Sequence, residues 1–225
     1  MKKILFTTVA LTGLVIQSFG QGEVIFVAGS SAATRVYVSS NGVASTDQSA
    51  GVAAGALAPA NSTSPFMYAL FSALPTVTTV TGNPWTDPAW SFSNNYGTNT
   101  AAGRLTGMGP YAATGSGGVV INGFAVGATA SLLVIGWDVA HGGSTLASFE
   151  AAYGNGSIYT GLYGRSGVGN ILLGNGSTTP DSLLFGTTAG QLGGFTMAGV
   201  VPEPATFALA GLGAAAMLIF RRRKQ

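Results

Sequence analysis

Short runs of β-branched and aromatic residues, separated by glycine, asparagine and proline, make up most of the chain between residues 21 and 200. Residues 23–28 (EVIFVA) and 34–38 (TRVYV) are two such runs, and turn-forming residues follow both of them. Runs of this length and composition are typical of β-strands, because branched and aromatic side chains pack well on a pleated surface. The pattern therefore predicts two strands near the start of this region.

The strongest core segment is residues 128–139 (ATASLLVIGWDV), where apolar residues follow one another with little polar alternation. Such a run predicts a strand that is central in a sheet or buried on both faces. Residues 66–74 (FMYALFSAL) fit a helix or a strand by pattern alone, and the prolines on both sides limit their length and favour a strand. The threonine- and valine-rich residues 76–81 are expected to continue that strand after a proline bulge.

The remaining elements are short. Further strands are expected at residues 119–126, 168–173, 182–185 and 193–200, and a long loop at residues 39–64. One short helix, residues 145–153, is expected after Ser144 as its cap and before Gly154. About eight to ten strands without alternating helices predict an all-β fold, an antiparallel β-sandwich or jelly roll, as a single passenger domain at residues 21–200.

The first 20 residues have the three parts of a secretory signal peptide: two lysines, an uncharged apolar run at residues 4–16, and small residues at positions 18 and 20. We expect signal peptidase to cut between Gly20 and Gln21, with a cut after Gly22 as the alternative. A first transmembrane helix is the other interpretation, but the run is short and no stop-transfer pattern follows it. The segment therefore predicts export.

Residues 201–225 also have three parts. They are a Pro-Glu-Pro box (Pro202, Glu203, Pro204), an uncharged apolar run at residues 205–220, and a basic cluster (Arg221, Arg222, Arg223, Lys224). The two prolines keep the box extended and open to a protease. A transmembrane helix formed by the apolar run reaches roughly 24 Å, which spans a ~30 Å hydrocarbon core with some local thinning. The basic cluster fits the positive-inside bias and retains this end of the chain in the cytoplasm until processing.

This tail resembles the PEP-CTERM sorting signal of bacterial exosortase substrates, in its Val-Pro-Glu-Pro-Ala-Thr order, its glycine- and alanine-rich apolar run and its terminal arginines. The resemblance implies that an exosortase cuts at the box and that the passenger then reaches the cell surface and its exopolysaccharide. An ordinary C-terminal membrane anchor is the alternative, although an anchor has no need of the box. The passenger is also similar to PEP-CTERM passengers typical of Verrucomicrobia-like bacteria, through the segments TRVYV, FMYALF, GATASLLVIGWDVAHGG, GRSGVGN and LGGFTM in that order.

Charge is concentrated at the two ends of the chain. Between residues 21 and 200 there are three arginines and six carboxylates, a net charge of −3. This balance argues against nucleic-acid binding, which needs a basic patch. We expect the three arginines to pair with carboxylates, with an interaction with polysaccharide as the alternative (Arg35, Arg104, Arg165). Cysteine is absent, which excludes disulfides, a thiol nucleophile and thiolate metal ligands.

Patterns that indicate catalysis or metal binding are weak. Asp138, His141 and Ser144 suggest a hydrolase triad, but they fall in one turn and no Gly-x-Ser-x-Gly elbow is present, which favours a turn closed by side-chain hydrogen bonds. Four carboxylates in or near loops suggest calcium, but without Asp-x-Asp-x-Asp spacing (Asp87, Asp138, Glu150, Asp181). The GRSGVG run at residues 164–169 matches neither a dinucleotide fingerprint nor a Walker motif. We therefore expect no metal, no cofactor and no enzymatic activity.

Residues 82–97 (GNPWTDPAWSFSNNYG) form a turn-rich segment with four aromatic residues. We expect a loop here, in which Trp85, Trp90 and Tyr96 are the candidate carbohydrate contacts. The alternative is that these rings close the open end of the sandwich by packing. The sequence favours a non-enzymatic exported surface or matrix protein, with a carbohydrate-binding module and a secreted hydrolase as the alternatives.

Overall fold

The computed structural model describes residues 21–29, 31–39, 56–57, 66–108, 118–154, 159–175 and 179–199. These residues contain thirteen strands and two short helices. The strands are β1 (Gln21–Ile25), β2 (Val27–Ala28), β3 (Val36–Val38), β4 (Ala56–Leu57), β5 (Phe66–Ala73), β6 (Ser91–Ala101), β7 (Arg104–Gly107), β8 (Gly118–Ala125), β9 (Thr129–Asp138), β10 (Leu162–Arg165), β11 (Gly169–Leu172), β12 (Ser182–Leu183) and β13 (Phe195–Gly199). The helices are α1 (Val139–Gly142) and α2 (Leu146–Gly154), and a 3₁₀ turn (Ala32–Thr34) precedes β3. The prediction of a mainly β protein is confirmed.

The strands form two sheets. The small sheet has the order β12-β1-β8, and the large sheet has the order β2-β7-β6-β5-β9-β10-β13-β3-β4, with β11 also paired to β9. Most ladders are antiparallel, as predicted, but β1 with β12 and β13 with β3 are parallel. The Val36 amide of β3 donates to the Gly103 carbonyl between β6 and β7 (3.0 Å). This bond joins distant parts of the large sheet, which is therefore curved and nearly closed.

The first part of the chain passes from one sheet to the other. β1 pairs with β8 in the small sheet, β2 pairs with β7 in the large sheet, and Phe26 lies between them. The Phe26 side chain is fully buried, and a Cβ added at Gly97 or Gly107 of the large sheet would lie 3.0 to 3.3 Å from it. The strand predicted at residues 23–28 is thus divided at Phe26, because the two sheets share one core.

That shared core, the inner cluster, fills the space between the sheets. Its buried members are Val24, Phe26, Ala28, Val36, Phe66, Tyr68, Leu70, Leu105, Val119, Ile121, Ala130, Leu132, Val134, Ile171, Leu173, Leu184, Phe185, Leu192, Phe195 and Met197. They come from segments far apart in the sequence, so distant strands must pair before this core closes.

A second core, the outer cluster, lies on the opposite face of β5 and β9. Its buried members are Met67, Ala69, Phe71, Ala73, Trp90, Leu133, Ile135, Trp137, Leu146, Phe149 and Tyr159. Because side chains alternate along a strand, Leu132 and Val134 face the inner cluster while Leu133 and Ile135 face the outer one. Every residue of β9 after Thr129 is buried, which confirms the prediction of a strand buried on both faces.

Helix α2 and the segment between β5 and β6 cover the outer cluster. The helix begins at a capping box, in which the Thr145 hydroxyl accepts from the Ser148 amide and the Ser148 hydroxyl accepts from the Thr145 amide (both 3.2 Å). The predicted helix is therefore present, but its cap is Thr145 rather than Ser144. Leu146 and Phe149 are its buried residues.

Two predictions about the segment that leads into β6 are wrong. Residues 76–81 do not continue β5, because a turn in which the Val77 amide donates to the Leu74 carbonyl (2.9 Å) follows that strand. Residues 91–97, predicted as a loop, belong to β6. This strand lacks an apolar pattern because its buried positions are polar or glycine (Ser93, Asn95, Gly97, Asn99).

Neither helix in the described part of the chain is long and apolar enough to cross a membrane. The predicted signal peptide at residues 1–20 and the predicted membrane-spanning run at residues 205–220 lie outside the described residues.

Candidate functional site

The predicted processing sites flank the described fold. β1 begins at Gln21, directly after the predicted signal-peptide cut, and its first residue pairs with Ala125 of β8. Gly22 is buried, and a Cβ at this position would lie 2.6 Å from Leu173 Cβ. The alternative cut after Gly22 would remove this packed residue, whereas a cut between Gly20 and Gln21 leaves β1 whole.

At the other end, β13 stops at Gly199, close in sequence to the Pro-Glu-Pro box. β13 lies inside the large sheet, where it pairs with β10 on one side and with β3 on the other. The box (Pro202, Glu203, Pro204) and the basic cluster (Arg221, Arg222, Arg223, Lys224) lie outside the described residues. Pro202 follows Gly199 by three positions, so their Cα atoms are at most about 11 Å apart.

Trp90, one of the candidate carbohydrate contacts, belongs to the outer cluster. It is 5% exposed, and its indole Nε1 donates to the Thr79 carbonyl (3.1 Å). The ring therefore packs beneath the segment between β5 and β6 and does not form an exposed platform.

Trp85 and Tyr96, the other two candidates, are half-buried. Trp85 makes edge-to-face contacts, at ring-centroid distances of 5.3, 5.4 and 5.9 Å, with three rings of α2 and β10 (Phe149, Tyr153, Tyr163). The Tyr96 hydroxyl accepts a hydrogen bond from the Leu146 amide (2.9 Å) in the first turn of α2. These contacts join α2 and the segment between β5 and β6 to strands of the large sheet. They favour the interpretation that all three aromatic residues pack against the fold and do not bind carbohydrate.

Asp138 and His141 form a turn at the end of β9, as predicted. Asp138 Oδ1 accepts from the His141 amide (2.9 Å) and contacts His141 Nδ1 (2.6 Å), while Oδ2 accepts from the Leu162 amide. Asp138 is buried, and the His141 side chain is about half exposed. One buried carboxylate thus ties together β9, α1 and the start of β10.

A catalytic triad is not assembled around this histidine in the described residues. Ser144 is exposed, and no hydrogen bond between Ser144 and His141 is present there. Burial, and next the charge of Asp138, raise the pKa of the Tyr159 phenol well above its usual value, so this hydroxyl stays protonated. An imidazole oriented by a carboxylate can take up a proton, but these residues place no nucleophile beside it.

The carboxylates considered for calcium lie apart. The described part of the chain holds no group of three or more histidine, aspartate or glutamate residues placed to bind a metal ion. Asp87 closes a turn by accepting from the Thr81 amide (2.7 Å) and the Ala89 amide (3.0 Å), and these bonds lower its pKa. Burial raises the pKa of Glu150. The expectation of no metal site stays a prediction.

The arginines do not pair with carboxylates among the described residues, and pairing with Asp47, which lies outside them, stays a prediction. Arg104 Nε donates to the Gly29 carbonyl (3.2 Å), and an Arg165 Nη atom donates to the Gly82 carbonyl (3.1 Å). Arg35 Nε is buried and has no partner in this part of the chain. The passenger has few carboxylates, and two of them accept from backbone amides instead.

A cavity of about 220 Å³ lies where β2, β7 and β6 are neighbours, and the sequence analysis missed it. The residues lining it are Val27, Ala28, Thr100, Arg104, Leu105 and Thr106. No sequence pattern identifies this cavity, because β2 and β6 come together only through pairing in the sheet.

Comparison with known proteins identifies only the C-terminal end. The family model of the PEP-CTERM protein-sorting motif matches residues 200–224. No curated protein and no solved structure matches the chain. The resemblance of the tail is confirmed, whereas the resemblance of the passenger to Verrucomicrobia-type proteins stays a prediction.

Proposed function

We propose that this chain, which carries a PEP-CTERM protein-sorting motif at residues 200–224, is a non-enzymatic passenger delivered to the cell surface or its matrix. The motif is a substrate signal for exosortase processing, and it implies an exported, membrane-anchored precursor that is processed to the surface. In this proposal signal peptidase removes residues 1–20, the run at residues 205–220 holds the precursor in the membrane, and the exosortase acts at the Pro-Glu-Pro box.

The observation that carries the proposal is the position of β13. This strand is internal in the large sheet and ends at Gly199, the residue before the matched motif, residues 200–224. A cut within the box therefore leaves every described strand paired. The tail is a removable segment, and the passenger, two sheets on one shared core in the manner of a β-sandwich, keeps its fold after processing.

Mass spectrometry of the protein from its native host tests this function. The expected extracellular product begins at Gln21 and lacks the apolar run and basic cluster. Changing both Pro202 and Glu203 to alanine is expected to retain the precursor in the membrane fraction. Gly199→Ala, which lies outside the matched motif and where a Cβ meets no atom within 4 Å, serves as the control. An extracellular product with an intact tail would refute the proposal.

The absence of enzymatic activity is part of the proposal. It is supported by the Asp138–His141 turn, whose hydrogen bonds close the end of β9, and by the lack of any hydrogen bond between a serine and His141 among the described residues. The alternative, a secreted hydrolase centred on His141, predicts that His141→Ala abolishes a hydrolytic activity of the purified protein. Undiminished activity after this change would remove that alternative.

Association with exopolysaccharide remains the expected role of the delivered passenger. The loop aromatic residues are weak candidates for it, because Trp90 is buried and Trp85 and Tyr96 are engaged with α2 and β10. If they nevertheless formed a carbohydrate-binding module, Trp90→Ala would abolish pull-down by the host's polysaccharide while the far-ultraviolet circular dichroism stayed native. We expect this substitution to loosen the fold instead.

A further inference from the structure

The cavity beside Arg104 combines a cation, whose position is fixed, with two threonine hydroxyl groups. It lies on the large sheet, where β2, β7 and β6 are neighbours. No carboxylate is among the residues that line it. Arg104 is exposed at the mouth of this cavity and has no carboxylate partner among the described residues, so its guanidinium is accessible to an anionic group.

Gly29 fixes the position of the Arg104 side chain. The Gly29 carbonyl accepts from Arg104 Nε (3.2 Å), and a Cβ at residue 29 would lie 2.6 Å from Arg104 Cγ. Residue 29 has a φ of +99°, which glycine adopts without strain. Because Gly29 contacts the aliphatic part of the Arg104 side chain and accepts from Nε, the orientation of the guanidinium is fixed. Its terminal amino groups have no hydrogen-bond partner among the described residues.

Two threonine hydroxyls complete the polar part of the cavity. Thr100 Oγ1 and Thr106 Oγ1 are 3.4 Å apart, on the adjacent strands β6 and β7. When one hydroxyl donates to the other, one O–H group and several lone pairs remain for a ligand. Val27 and Leu105 contribute apolar surface to the same cavity.

We propose that this cavity binds the carboxylate of a hydroxylated organic acid, such as one uronic acid unit of an acidic polysaccharide. The guanidinium fork matches a carboxylate through two parallel hydrogen bonds, the threonines match sugar hydroxyls, and the apolar wall matches a sugar C–H face. The volume is below the ~300–1,000 Å³ of pockets for drug-sized ligands, so it accepts a single sugar unit. The assignment to a polymer rests on the proposed function, whereas the carboxylate site itself does not.

Calorimetric titration of the full chain in mild detergent tests the site, with sodium glucuronate as the ligand and glucose as the neutral control. We expect glucuronate to bind roughly tenfold or more tightly than glucose. Arg104→Ala is expected to weaken glucuronate binding roughly ten- to hundredfold, and Arg104→Lys, which keeps the charge but loses the fork, roughly tenfold. Thr106→Val is expected to cost a few-fold, about one neutral hydrogen bond.

Arg165→Ala is the matched control. It removes an arginine that also donates to a backbone carbonyl but does not line the cavity, so binding should be unchanged. Thermal unfolding of each variant shows whether the fold is intact. Equal binding by Arg104→Ala and the unmodified chain, or equal affinity for glucose and glucuronate, would overturn the proposal.

Affinity electrophoresis distinguishes the two sources of the carboxylate. Retardation by polygalacturonate but not by dextran, lost in Arg104→Ala, assigns the site to a polymer-borne acid. Binding of glucuronate without such retardation assigns it to a free acid. Exosortase processing of Arg104→Ala, followed by mass spectrometry, should be normal, so failure of this site and failure of the proposed function are distinguishable.

Discussion

The inner and outer clusters lie on opposite faces of β5 and β9, yet different parts of the chain enclose them. Strands of both sheets surround the inner cluster, and their backbone groups are paired in ladders. Helix α2 and the segment between β5 and β6 cover the outer cluster, mainly through aromatic contacts. We therefore expect loss of the inner cluster to unfold both sheets, and we expect α2 and the segment between β5 and β6, the outer cover, to open while the sheets persist.

The two clusters also differ in chemistry. All three tryptophans of the chain lie in the outer cluster or pack against it (Trp85, Trp90, Trp137). The inner side instead contains buried amides. The Tyr68 hydroxyl donates to Asn99 Oδ1 (2.7 Å), and Asn95 Nδ2 donates to the Val120 carbonyl of β8 (2.7 Å). Tryptophan fluorescence therefore reports changes in the packing of the outer cluster, and far-ultraviolet circular dichroism reports changes in the sheets.

The largest expected effect comes from Phe26→Ala and Phe149→Ala, compared with each other. Each truncates a fully buried ring, at a cost of about 3–5 kcal/mol. In Phe26→Ala, fluorescence and circular dichroism should show one coincident thermal transition at a lower temperature. In Phe149→Ala, the fluorescence transition should come first. Coincident transitions in both variants would show that the two clusters unfold as one unit.

Gly136→Ala is expected to have the next largest effect. A Cβ at this position on the inner face of β9 would lie 2.8 Å from the Tyr68 ring and 2.9 Å from Met197 Sδ. Because Tyr68 is held by Asn99, it cannot move aside easily, and the overpacking should cost about 1–3 kcal/mol in urea unfolding. Gly199→Ala, where a Cβ meets no atom within 4 Å, is the control and should stay within about 0.5 kcal/mol.

A double-mutant cycle at Tyr68 and Asn99 tests the buried polar groups of the inner side. Tyr68→Phe leaves the Asn99 amide without its one partner, because Asn99 Nδ2 is already unpaired among the described residues, and should cost about 1–3 kcal/mol. Adding Asn99→Leu should recover most of this loss, since no polar group then remains unsatisfied. Additive losses in the double variant would mean that the pair is not energetically coupled.

The smallest effect concerns pH and the outer cover. Backbone amides of Thr81 and Ala89 hold the pKa of Asp87 below the usual 3.8. A lowered folded-state pKa means that this stabilisation is present above about pH 3.8 and is lost as the pH falls through the folded value. Acid titration followed by tryptophan fluorescence should therefore show loosening of the cover. Asp87→Asn should flatten this response, and an unchanged acid profile would assign it to other carboxylates.

The contrast between β9 and β6 shows how far sequence reasoning extends. The β9 run was predictable because a continuous apolar segment has to be buried on both faces. β6 was not, because it buries Ser93 and Asn95, whose hydrogen-bond partners are the Leu70 carbonyl of β5 and the Val120 carbonyl of β8. A polar residue is tolerated in a core only when such partners exist, and those partners lie on other strands.

The candidate sites divide in the same way. The sorting motif that contains the Pro-Glu-Pro box was readable because its residues are consecutive in the sequence. The Asp138–His141 turn was readable because its partners are three residues apart. The cavity at Arg104 was not, since it needs Gly29 from one end of the passenger and β6 and β7 from its middle.

By itself, the sequence determined the sorting motif, the mainly β character and the central strand β9, because each depends on neighbouring residues alone. The tertiary structure decided the near closure of the large sheet, the burial of Trp90 and the carbonyl partners of Arg104 and Arg165. These features depend on which distant strands pair and which side chains they bring together, and local composition carries no information about that pairing.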